Sequence, residues 1–183
     1  MTRPTIVALP GASAWNDWPD RLAQATGCDV CLASSREPLP QLLDRIGLER
    51  GILLGHSDGA AAATGYLGSV EDFRIRGLVL LSPVFFAENP ANVPPGFHGS
   101  DIREAIGYIR VPILIVQGAA DPYGTAAQVA AAQEEAYCPV DLSLIDGARH
   151  APHLDQPDRT LTAVAGFVTT LLDTFGEKAA HGH

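Results

Sequence analysis

The sequence predicts an α/β fold: a doubly wound, mostly parallel six-stranded sheet with helices on both faces. Short β-branched and apolar runs alternate with helical patterns from end to end, the arrangement that right-handed βαβ crossovers require. The runs at 52–54, 78–81 and 113–116 are apolar without alternation, as expected of strands covered on both sides. The chain has 183 residues, 46% hydrophobic and 18% charged, a balance that suits a single globular domain with a sizeable core.

The elements follow in order. Thr5–Leu9 reads as a strand stopped by Pro10 and Gly11. Residues 20–26 form a helix with Gly27 as its C-terminal stop, and 29–33 a second, weaker strand. Leu39, Leu42, Leu43 and Ile46 sit at the i, i+3, i+4, i+7 spacing of an amphipathic helix. Strands are expected at 51–54, 77–81, 112–117 and Val140–Ile145, and helices at 58–67, 125–136 and 157–175. Residues 83–110 break this rhythm with four prolines and little periodicity, which marks a short lid-like insertion in a domain spanning 1–176. Residues 177–183 are expected to be a flexible tail.

Composition removes several function classes. Twelve basic against 21 acidic residues give a net charge of −9, which repels nucleic-acid backbones and anionic membranes. No apolar run approaches the ~20 residues of a membrane span, and the N-terminus lacks a signal-peptide core. Cys28 and Cys31 form a C-x-x-C, but inside a strand rather than at a helix N-terminus. With Cys138 they read as packing residues of a protein in the reducing cytoplasm.

The chemistry concentrates in three blocks. Gly55-His56-Ser57-Asp58-Gly59 is a G-x-S-x-G between a buried strand and an Ala-rich helix, the context in which that motif presents a reactive serine. Glycines on both sides let the backbone turn tightly, and the helix N-terminus points free N–H groups at charge developing on Ser57. Its simplest rival is an unreactive N-cap serine, and Asp58 needs no explanation beyond an acid in the first helical turn. A serine hydroxyl needs a base, and the base needs an orienting acid. Asp121 follows the strand PILIVQG, and His150 follows the strand VDLSLID. All three residues fall beyond the carboxyl ends of strands, where doubly wound sheets collect ligands. Asp121 has a rival role as the cap of the turn before Pro122, and His153 is the alternative base. The segment H-A-P-H-L-D has no third cluster to complete a metal site, and neither metal nor cofactor is expected.

These blocks, GHSDG, VPILIVQGAADP and LIDGARHAPHLDQP, resemble the nucleophile elbow, acid turn and histidine loop of the α/β-hydrolase superfamily, over roughly residues 5–172. The resemblance implies Ser57 as nucleophile, His150 as general base and Asp121 as orienting acid. It also implies an oxyanion hole from the backbone N–H groups of Ala12 and Asp58, although Pro10 stands where relatives often carry His. The chain looks like a minimal version that lacks the N-terminal hairpin and the large cap. That implies an open, shallow site for small carboxylic esters, with Trp15, Trp18, Phe85, Phe86 and Phe97 as candidate lining residues. Thioesterase, lactonase and C–C hydrolase activities use the same triad, and a non-catalytic binding protein of this fold is the remaining alternative.

Overall fold

The computed structural model describes residues 3–34, 37–95, 97 and 101–175. The tail expected at 177–183 lies outside them. The strands are β1 (Thr5–Leu9), β2 (Asp29–Leu32), β3 (Gly51–His56), β4 (Ile75–Leu81), β5 (Ile113–Gly118) and β6 (Val140–Ile145). The helices are α1 (Trp18–Thr26), α2 (Leu39–Arg45), α3 (Asp58–Ser69), α4 (Arg103–Tyr108), α5 (Ala126–Glu135), α6 (Pro152–Asp155) and α7 (Pro157–Thr174).

All six strands are parallel, in the spatial order β2-β1-β3-β4-β5-β6. The absence of alternation in the sequence has a direct physical reason. Val7, Leu53, Leu78, Leu80, Ile113 and Ile115 point into one core, packed by α2, α3, α4 and α5. Their neighbours Ile6, Ile52, Leu54, Val79, Leu114 and Val116 point into a second core, packed by α1 and α7. At about 25 cal/mol per Å² of apolar surface, burial on both faces is the main stabilising term.

Two elements escaped the sequence reading. The interval 83–110 contains α4, whose Ile106 is fully buried in the first core. The four-residue α6 packs its Pro152 and His153 inward. Both helices are shorter than two turns and carry too few apolar positions to show a period. The weak strand β2 is an edge strand with only partial burial, which explains its faint pattern. Cys28 is buried and no disulfide joins the three cysteines. No helix among the described residues is long and apolar enough to cross a membrane.

The chain leaves β1 toward β2 on one side and returns as β3 on the other. The crevice at such a reversal, beyond the carboxyl ends of the strands, is where open α/β sheets place their ligands. The loops after β1 and β3 meet there.

Candidate active site

Ser57 stands at the turn from β3 to α3 with φ 52° and ψ −111°, a backbone conformation that L-residues rarely adopt. Close packing holds it there. A Cβ added to Gly59 would lie 2.1 Å from Leu9 O, and one on Gly55 would lie 2.4 Å from Gly59 O. One on Gly11 would lie 2.6 Å from His56 O and 2.9 Å from Ser57 Cβ. The loop after β1 therefore rests directly against the serine. Ser57 N–H donates to Leu81 O at 3.1 Å, tying the turn to β4.

His150 sits in the loop after β6, and Asp121 in the loop after β5. The structure brings the three predicted side chains into one chain of hydrogen bonds. His150 Nε2 is 2.9 Å from Ser57 Oγ, and His150 Nδ1 is 2.9 Å from Asp121 Oδ2. The Asp121 side chain is completely buried, and that of His150 is 16% exposed. Burial alone would raise the Asp121 pKa. Hydrogen bonds from His150 and from the Tyr123 backbone N–H outweigh it and hold the carboxyl below its usual range. The carboxylate is therefore ionised and able to orient an imidazole. Room for the loop that carries His150 comes from Gly118, where a Cβ would lie 2.0 Å from Arg149 O.

His153 does not compete for Ser57. Its ring is buried, and its Nε2 meets Ala14 O at 3.1 Å. Asp58 is the first residue of α3, so its N–H has no partner within that helix. Ala12 follows Gly11 in the loop packed on Ser57.

Some expected lining residues prove to be packing. Phe85 is fully buried in the core beneath α4 and α5, so no face of its ring is left to line a site. Trp15 stacks on Trp18 at 5.9 Å between ring centroids and lies 4.7 Å from His153. Both indoles are buried, because large rings stabilise most by full desolvation. Trp15 backs the site through His56, 6.2 Å away, instead of forming a wall. Phe86 is partly buried, with the Arg103 guanidinium 4.4 Å above its ring, and Phe97 is half-buried.

The sequence reading missed three neighbours. Gln117 donates from Nε2 to Asp121 Oδ2 at 2.7 Å and to Gly124 O at 3.1 Å. A lone polar residue ending an apolar strand was its available signal. The Tyr123 ring lies 4.8 Å from the His150 ring, edge to face. His56, next to Ser57, reaches the His150 carbonyl. Glu88 and Asn92 are also fastened to the turn that carries Asp121. Glu88 accepts from Thr125 N–H and Oγ1–H at 3.0 and 2.8 Å, and Asn92 Nδ2 donates to Pro122 O at 2.9 Å. Among the described residues, no group of three or more His, Cys, Asp or Glu side chains is disposed to hold a metal.

No family model matches the chain. A stretch of 85 residues is 31% identical to 3-oxoadipate enol-lactonase 1 of Acinetobacter baylyi, covering 46% of this chain and 31% of that protein. The match thus spans less than a third of the relative's own length. A bromoperoxidase from Bacillus anthracis superposes with a TM-score of 0.75 at 16% identity, over 92% of both chains. An esterase from Rhodococcus sp. ECU1013 does so with a TM-score of 0.72 at 16% identity, over 92% of this chain and 91% of that one. With its six parallel strands, a sharp strand-to-helix turn at Ser57 and this likeness to solved structures, the chain has the α/β-hydrolase fold.

Proposed function

We propose that the protein is a serine hydrolase of small carboxylic esters, acting through Ser57, His150 and Asp121 and an acyl-enzyme intermediate. The observation that carries this reading is the pair of 2.9 Å contacts that links hydroxyl, imidazole and carboxylate in the order the chemistry needs. His150 Nε2 takes the proton of Ser57 Oγ as that oxygen attacks the ester carbonyl. Asp121 accepts from His150 Nδ1–H, fixing the tautomer and stabilising the imidazolium. The backbone N–H groups of Ala12 and Asp58 donate to the tetrahedral oxyanion, each contributing about 3 kcal/mol. The imidazolium then protonates the leaving alcohol, and water releases the acid by the same steps in reverse order.

Support for esters comes from the structural likeness to an esterase and from the partial likeness to an enol-lactonase. The second of these favours one alternative substrate, a lactone, whose ring opening uses the same attack and leaves the alcohol tethered to the acyl group. The reduced segment 83–110 favours short acyl groups over long ones. Neither a cofactor nor a macromolecular partner enters the reaction.

A series of p-nitrophenyl esters of increasing chain length, with a five-membered lactone in parallel, tests the proposal. Expected are turnover of acetate or butyrate esters with a burst of one p-nitrophenol per chain, and loss of both in Ser57→Ala. A correctly folded protein that turns over neither esters nor the lactone would overturn it.

A further inference from the structure

We infer that His56, the residue preceding the nucleophile, is a positioning residue that fixes the general base through its backbone. This inference rests on the triad reading of Ser57, His150 and Asp121. His56 ends β3 and is 1% exposed, and its Nε2 lies 2.8 Å from His150 O. A carbonyl only accepts, so the Nε2 atom carries the hydrogen and donates it. The other ring nitrogen, Nδ1, has no hydrogen-bond partner among the described residues and faces the backbone of Gly11.

The connectivity gives this bond its consequence. Ser57 and His56 are adjacent on a strained, close-packed turn, whereas His150 stands on a loop without regular structure. Ser57 Oγ meets the His150 ring, and the His56 ring meets the His150 carbonyl. Two bonds from one turn therefore fasten both ends of the base residue. Only the second persists when His150 Nε2 turns from the serine to the leaving alcohol, so it keeps the ring in register during proton transfer. The surroundings preserve the neutral, donating form of His56. Its ring packs 4.8 Å from that of His153 and 6.2 Å from that of Trp15, away from solvent, and 5.4 Å from that of His150. A second positive charge there would oppose the imidazolium that the mechanism needs; a neutral donor does not.

The test compares His56→Leu with His56→Gln, whose terminal amide nitrogen reaches the place of the imidazole Nε2. Kinetics on p-nitrophenyl acetate are read together with backbone hydrogen exchange over residues 147–152. The Leu variant should lose about 10–100-fold in kcat with KM within about twofold of wild type, the signature of misplaced catalytic groups. The Gln variant should recover most of that loss. Exchange across the base loop should quicken in the Leu variant and return toward wild type in the Gln variant. A Leu variant with wild-type kcat, or a Gln variant as slow as Leu, would overturn the inference. Should the wild type prove inactive on every ester, the triad reading fails and hydrogen exchange alone decides. Exchange restored by Gln supports the bond's role, and exchange equal in all three proteins refutes it.

Discussion

Ser57 and Asp121 are held in place by opposite means. Around Ser57 the restraint is mainly steric: three glycines bring backbone within contact of backbone, and Ser57 makes no side-chain cap hydrogen bond to α3. Around Asp121 the restraint is polar. The carboxylate accepts from Gln117, Tyr123 N–H and His150, and its loop is fastened by Asn92 and Glu88. Steric restraint fails when a methyl group is added, and it takes the fold with it. Polar restraint fails when a donor is removed or protonation changes, and it takes activity first.

This contrast yields graded predictions. The largest loss of stability belongs to Gly59→Ala, where the new Cβ would fall 2.1 Å from Leu9 O. A backbone neighbour has little room to retreat, so the variant should lose about 3 kcal/mol or more in a denaturant titration, or fail to fold. Asp121→Asn should reverse the pattern. It should lower kcat by about 10³–10⁴-fold while costing only about 1–2 kcal/mol of stability, measured on the same samples. An Asp121→Asn protein that unfolds before it loses activity would erase the contrast.

Acid should separate the two sides further. Burial, against the opposing hydrogen bond to His150 O, lowers the His56 pKa from 6.5 to about 4, and burial lowers that of His153 as well. The unfolded chain therefore binds more protons than the folded one across this window, and stability falls as pH drops from about 6.5 toward 4. For His56 alone the loss at pH 5 is on the order of 2 kcal/mol, and His56→Gln should flatten the slope of a stability-versus-pH plot. Asp121 acts lower. Its depressed pKa contributes stability above the unfolded carboxyl value of about 4, and this is lost as pH falls through the folded value. The smallest effect is expected for Glu88→Gln, which weakens an exposed cap on Thr125. It should cost under about 1 kcal/mol and leave kcat within about twofold, a result readable by thermal melt and initial rates.

The same contrast explains what was legible in the sequence. Steric placement leaves glycines at fixed offsets, so Gly55, Ser57 and Gly59 could be read directly, as could the strands that carry Asp121 and His150. Parallel strands buried on both faces write continuous apolar runs, and the sheet followed from them. Polar placement leaves a fainter trace, such as the lone polar Gln117 in the apolar strand β5. Gln117 bonds within its own turn, to Asp121 and Gly124, while Glu88 acts on Thr125, a partner distant in sequence that a linear pattern does not identify. Aromatic residues misled for a related reason: Phe85 and Trp15 serve core and pocket equally well in a sequence, and only three-dimensional burial assigns them to the core. The helices α4 and α6 were too short for periodicity to register.

The most direct measurement is labelling with a fluorophosphonate, followed by mass spectrometry of the intact chain and its peptides. We expect one adduct per chain, located on Ser57, absent from Ser57→Ala and slowed in Asp121→Asn. A folded wild-type protein that takes no adduct, or a Ser57→Ala variant labelled as fast as wild type, would contradict nucleophilic catalysis at this turn.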